Sequence, residues 1–169
     1  MRVLLIGGAP NTGKSNAVLM CAHYLINQGF ALFDCEYYSG KSTKLPKIAT
    51  GSNSSTDFLA KLVGTDKNNK NVSITITSAS DSTGLIDINF NYLQSQSCDI
   101  YISSVRDIGY ERMYLFSKFN FHSEDKGLIE FPLAKMSRRN QNWYTAKNWY
   151  DSTIRNMLEH FLQSKPFEV

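Results

Sequence analysis

The chain has 169 residues, of which 42% are hydrophobic and 20% charged, and its formal net charge is +3. This composition is typical of one globular domain and argues against a disordered or fibrous chain. No apolar run approaches the roughly 20 residues that span a bilayer, and so mild a positive charge does not identify a nucleic-acid binder. The three cysteines fall inside apolar segments, which predicts reduced core thiols in a cytoplasmic protein.

Strand-like and helical patterns alternate along the chain. Strands are predicted at 2–7, 31–38, 72–77, 98–105 and 127–133. Helices are predicted at 15–28, 57–63, 82–94, 107–119 and 142–163. Residues 39–56 are rich in Ser, Thr, Gly and Lys, and we predict a flexible insertion there. The alternation predicts a single α/β domain over 1–169, a three-layer sandwich with a five-stranded, mainly parallel sheet.

A glycine-rich motif follows the first predicted strand. Residues 8–15 read Gly8-Ala9-Pro10-Asn11-Thr12-Gly13-Lys14-Ser15, which matches G-x-x-x-x-G-K-[ST] at every position. Such glycines let backbone amides point at phosphate oxygens, and the following helix adds the positive end of its dipole. Lys14 would contact the β- and γ-phosphates, and the Ser15 hydroxyl would ligate Mg²⁺. We include Asn16 in this predicted nucleotide-binding site; the alternative is a chance glycine turn before a helix.

With this motif the chain resembles the P-loop NTPase superfamily, from Arg2 to about Gly29. The resemblance implies a P-loop NTPase fold that binds ATP or GTP with Mg²⁺. Small nucleotide and metabolite kinases of this superfamily fit the size and the order of elements best. They carry a substrate-binding insertion after the second strand or its helix.

The family's other motifs are incomplete. The sequence Asp81-Ser82-Thr83-Gly84 matches the D-x-x-G of GTPases, but no N-K-x-D follows, and a helix N-cap is the ordinary interpretation. The strand at 72–77 does not end in the acidic residue of a Walker B motif. That acid is either absent or shifted to Asp81, which we predict as a metal ligand with Ser15.

Four further side chains are candidates for the chemistry. Asp34 and Glu36 share one face late in the second strand, near the edge where parallel sheets bind ligands. Either could be a general base or hold a metal-bound water, or both could be an ordinary polar strand end. Arg106 follows the fourth strand and could stabilise a transferred phosphoryl group. Arg138 lies in a basic cluster that, by the resemblance, borders the base; the alternative is an ordinary basic loop.

The last helix carries an aromatic stripe. Trp143, Ala146, Trp149 and Tyr150 fall at helical spacing, and Ile154, Met157, Leu158 and Phe161 continue it. We predict that this stripe packs on the sheet, although it could stack on single-stranded nucleic acid.

Two functions are compatible with these patterns. The first is a small Mg²⁺-dependent kinase that transfers the γ-phosphoryl group of ATP to a small acceptor, with Lys14, Asp34, Glu36 and Arg106 as catalytic residues. The second is a regulatory or binding module with slow or no hydrolysis, in which nucleotide orders 39–56 for a protein partner. A membrane partner is not expected, and a nucleic-acid partner is unlikely on this pattern.

Overall fold

A computed structural model of the chain describes residues 1–48, 56–122, 127–134 and 143–169. Within these ranges the chain forms seven strands and four helices. The strands are β1 (Arg2–Gly7), β2 (Ala31–Tyr37), β3 (Gly40–Ser42), β4 (Phe58–Thr65), β5 (Asn71–Thr77), β6 (Ile100–Val105) and β7 (Gly127–Pro132). The helices are α1 (Lys14–Asn27), α2 (Thr83–Gln94), α3 (Tyr110–Lys118) and α4 (Trp143–Gln163).

All of these strands belong to one sheet, in the order β3-β2-β4-β5-β6-β1-β7. β1 pairs in parallel with β6 and β7, and β5 pairs in parallel with β6. β4 runs antiparallel to its neighbours β2 and β5, and β3 runs antiparallel to β2. The prediction of a five-stranded, mainly parallel sheet with a P-loop NTPase fold is therefore wrong, since the described strands form a seven-stranded mixed sheet.

β4 accounts for much of this difference. It occupies the segment predicted as a short helix, and it lies between β2 and β5. Phe58, Ala60 and Leu62 are buried in the core cluster on one face, and the alternate residues Leu59 and Lys61 are also buried. A strand covered on both faces carries no polar alternation, so its short apolar run resembles a buried helical turn in sequence.

Helices cover both faces of the sheet. Leu4 and Ile6 of β1 belong to the core cluster that contains α1 and α4 residues. Val3 and Leu5 face the opposite way and pack in a second cluster with residues of α2 and α3. None of the helices in the described part of the chain combines the length and apolarity of a membrane-spanning segment.

α4 packs with a narrower face than predicted. Ile154 and Leu158 are buried, and Tyr150 and Phe161 pack against the same core cluster. Trp149 is instead 69% exposed, so its assignment to the core is wrong. Ala146 and Met157 are exposed as well, and the side chain of Trp143 lies outside the described part of the chain.

Candidate phosphate-binding site

The loop between β1 and α1 has an unusual backbone. Gly13, which caps α1, has φ 89° and offers no side-chain hydrogen bond to the helix amides. Asn11 and Gly8 also have positive φ, at 63° and 154°. A β-carbon at Gly8 would lie 2.6 Å from Thr12 Oγ1 and 3.1 Å from the Leu133 carbonyl oxygen. The loop is therefore a tight backbone turn at the start of a helix, an arrangement that suits an anion.

Neighbouring strands hold this loop in place. The Gly8 amide donates to the Val105 carbonyl at the end of β6, at 3.2 Å. The Leu133 amide, just after β7, donates to the Gly7 carbonyl at 2.8 Å. The loop thus lies at the carboxyl ends of three adjacent parallel strands, β6, β1 and β7.

Lys14 lies inside the loop. Its side chain is only 7% exposed, and Nζ donates to the Ala9 carbonyl oxygen at 3.0 Å. Thr12 Oγ1 donates to the same oxygen at 2.9 Å. Burial lowers the pKa of Lys14, while the negative charges of Asp81 and Asp107 act in the opposite direction. Lys14 is therefore a cation removed from water and held against the loop backbone.

The exposed and buried parts of the loop alternate. Pro10, Asn11 and Gly13 are exposed, whereas Gly8 and Thr12 are buried. Ala9, Ser15 and Asn16 are partly buried, the last two in the first turn of α1. Ser15 Oγ donates to the Ser78 carbonyl at 3.2 Å. This contact joins the loop to the segment that follows β5.

Asp81 and Arg106 pair with each other beyond the carboxyl ends of β5 and β6. Arg106 Nε lies 3.3 Å from Asp81 Oδ1, which is an ion-pair distance, although the alignment is not that of a hydrogen bond. Both charges influence the pKa of Lys14. The structure thus places the predicted metal ligand Asp81 and the predicted catalytic Arg106 at the loop, paired with each other.

Asp34 and Glu36 are not brought to the loop. β4, β5 and β6 separate β2 from β1, so these carboxylates lie about four strand spacings away, or roughly 19 Å. Asp34 accepts a hydrogen bond from the Tyr92 hydroxyl at 2.9 Å. Burial and this contact raise the pKa of Tyr92. Arg138, with its neighbours Lys135 and Arg139, lies outside the described residues.

Sequence reasoning missed two residues of this site, Ser78 and Asp57. Ser78 Oγ donates to Asp57 Oδ1 at 3.0 Å, and Asp57 lies just before β4. No local pattern marks either residue, because their proximity to Ser15 depends on where β4 and β5 lie in the sheet. On α3, the Arg112 guanidinium donates to both carboxylate oxygens of Glu130, at 2.6 and 2.7 Å.

The described residues offer a metal ion few ligands. None of them form a cluster of three or more His, Cys, Asp or Glu side chains suited to a metal. Mg²⁺ typically takes one or two protein oxygens and completes its shell with phosphate and water. The Ser15 hydroxyl would fit that sparse donor set, together with Asp81 if its carboxylate separates from Arg106.

A cavity of about 220 Å³ lies away from this site. Its lining includes Met1, Phe90 and Cys98. Met1 precedes β1 and Cys98 precedes β6, so the cavity is at the amino-terminal edge of these strands, opposite the loop.

Comparison with protein-family profiles, with curated proteins and with solved structures found no match for this chain.

Proposed function

We propose that this chain binds the phosphates of a nucleoside triphosphate, ATP or GTP, together with Mg²⁺, at the loop formed by residues 8–15. The observation that carries the proposal is the buried ammonium group of Lys14. Among the described residues no carboxylate forms an ion pair with it. A buried cation with only carbonyl partners is costly, and a phosphate at the loop would compensate its charge.

The residues around the loop suit magnesium. Bound Mg²⁺ would neutralise phosphate charge and fix the orientation of the triphosphate. Ser15 would supply a hydroxyl oxygen, and Asp81 a carboxylate once it separates from Arg106. Arg106 would then be free to bind phosphate as a forked donor.

Calorimetric titration with ATP and GTP in the presence of Mg²⁺ tests the proposal. We expect Lys14→Ala to weaken binding by about tenfold to a hundredfold, since a charge-assisted hydrogen bond contributes about 1.5–3 kcal/mol. Lys41→Ala is the matched control, because Lys41 is exposed on β3, far across the sheet. Absence of binding to either nucleotide, or equal binding by Lys14→Ala, would contradict the proposal.

Phosphoryl transfer to a small acceptor is the second candidate. The location of Arg106 favours it, since Arg106 follows Val105, whose carbonyl binds the Gly8 amide, and transfer requires cations around the reacting phosphate. Asp34 and Glu36 are left out of this candidate, since they lie across the sheet. Transfer would be supported by ADP release that depends on a sugar, nucleotide or hydroxyl metabolite. Arg106→Ala should then lower this release more than it lowers nucleotide binding. Binding without any acceptor dependence would favour the regulatory or binding module.

A cytoplasmic location fits this proposal. The chain has free cysteines, and burial raises the pKa of the Cys21 thiol to about 12 and that of Cys35 to about 11. Such thiols are unreactive and suit a reducing compartment where Mg²⁺ and nucleotides are abundant.

A further inference from the structure

We propose that Asp57 is a positioning residue for Ser15, acting through Ser78, and that it substitutes for the acid that β5 lacks. The inference rests on the proposed function, because it concerns how Ser15 is oriented toward Mg²⁺. It adds to the site a residue from just before β4 that the glycine-rich motif does not contain.

Three residues form a continuous chain of hydrogen bonds. Ser15 Oγ donates to the Ser78 carbonyl at 3.2 Å, and Ser78 Oγ donates to Asp57 Oδ1 at 3.0 Å. The Phe58 amide donates to Ser78 Oγ at 2.8 Å, and the Ser78 amide donates to the Phe58 carbonyl at 3.0 Å. Ser78 is therefore held to the start of β4 through both its backbone and its side chain.

The residues after Ser78 are fixed as well. The Ala79 carbonyl accepts from Asn89 Nδ2 at 2.7 Å and from the Tyr38 hydroxyl at 3.3 Å. Ser80 Oγ donates to the Ser104 carbonyl at 2.9 Å. Ser78 and Ser80 are 1% and 2% exposed. This buried segment gives the Ser78 carbonyl a defined direction toward Ser15.

That direction matters for metal binding. A hydroxyl that ligates a cation uses an oxygen lone pair and must donate its proton elsewhere. The Ser78 carbonyl is such an acceptor, so it leaves the lone pairs of Ser15 Oγ for the ion. Groups that orient a metal ligand typically contribute a factor of 10 to 100 in metal affinity.

No carboxylate within β5 or in residues 78–80 can perform this role. Asp81 is the first acid after the strand, and it pairs with Arg106. The Ser78 carbonyl orients Ser15 instead, and its direction depends on how firmly the backbone at Ser78 is held. Asp57 holds this backbone through the Ser78 side chain.

The test is a double-mutant cycle on Mg²⁺ affinity. Mg²⁺ is titrated into protein at a fixed concentration of the nucleotide that the unmodified chain binds, and nucleotide affinity is measured separately in EDTA. We expect Asp57→Ala to weaken Mg²⁺ affinity by about tenfold and to leave nucleotide affinity in EDTA unchanged. In a Ser15→Ala background the same substitution should have no further effect, whereas a purely structural role would give additive losses.

Conservative and control variants complete the test. Asp57→Asn keeps an oxygen that accepts the Ser78 hydrogen bond, so it should bind Mg²⁺ within about twofold of the unmodified chain. Asp87→Ala is the control, since Asp87 likewise accepts a hydrogen bond from a hydroxyl, that of Tyr114, but lies on α2. If Asp57→Ala does not fold, Asp57→Asn still decides: a tenfold loss in that variant would overturn the positioning role. Additive losses, or an Asp57→Ala variant with unchanged Mg²⁺ affinity, would overturn it too. An unmodified chain that binds no nucleotide would instead overturn the proposed function.

Discussion

Lys14 gives the candidate site a predictable dependence on pH. Burial lowers the pKa of Lys14 below its ordinary value of 10.5. Because only the charged ammonium attracts phosphate, nucleotide affinity should fall as pH rises through this lowered pKa. The measurement is nucleotide affinity between about pH 8 and pH 10, where phosphate is already fully ionised.

Lys14→Arg provides the comparison for that profile. Its guanidinium stays charged over the whole range, so any binding it retains should be nearly independent of pH. A flat profile for the unmodified chain, or an equal decline in the arginine variant, would contradict the role of Lys14.

Gly8 is the residue at which the loop tolerates no side chain. A β-carbon there would lie 2.6 Å from Thr12 Oγ1 and close to a backbone carbonyl. We expect Gly8→Ala to lower the free energy of unfolding by about 1–3 kcal/mol and to weaken nucleotide binding. Urea unfolding measures the first effect and titration the second.

Gly84 serves as the control for Gly8. It lies in α2, and a β-carbon there would contact nothing within 4 Å. Gly84→Ala should therefore raise the free energy of unfolding by about 0.5–1 kcal/mol. Equal stability of Gly8→Ala and the unmodified chain would show that the loop relaxes around the added methyl group.

The sequence predicts only part of this site. The loop with Lys14 and Ser15 can be predicted because the residue spacing of one local motif defines it. Arg106 was found as a strand-end residue, and the structure brings it to the loop. Asp34 and Glu36 are strand-end residues too, but strand order decides which strand ends are neighbours, and that order is a property of long-range pairing.

At the scale of elements, β4 includes a close contact between Gly64 and Phe30. A β-carbon at Gly64 would lie 2.6 Å from the Phe30 ring, which is only 4% exposed. We expect Gly64→Ala to lower the free energy of unfolding by about 1–3 kcal/mol, because the buried ring has little room to move. Phe30→Ala removes the ring, so the double variant should lose less than the sum of the two single losses. If Gly64→Ala leaves the free energy of unfolding unchanged, β4 shifts freely against Phe30, which precedes β2.

β4 also shows what sequence patterns miss among the elements. The five predicted strands are all present as β1, β2, β5, β6 and β7. Alternation of strands with helices gave no sign that an antiparallel strand separates β2 from β5. The burial of both faces of β4 removed the polar period that would have identified it. In α4 the period was correct, but the predicted stripe was too wide and included Trp149, which is exposed.

For the whole molecule, nucleotide binding should appear as added thermal stability. A ligand at 100 times its Kd stabilises the folded state by about 2.7 kcal/mol. For a chain of this size that corresponds to a rise in Tm of about 5–10 °C. Scanning fluorimetry with nucleotide and Mg²⁺ measures the shift, and Lys14→Ala should abolish most of it. An equal shift in that variant would locate binding elsewhere.

The position of β6 has a consequence for how the chain acquires this site during synthesis. β6 lies between β1 and β5, yet it follows both of them in the sequence. A nascent chain that ends before Ile100 contains the glycine-rich loop, Ser78 and Asp57, but lacks the strand that separates β1 from β5. We therefore expect the contact between Ser15 and Ser78 to form only after that strand inserts. On this expectation, the proposed phosphate binding would appear late in folding, once the central sheet is complete.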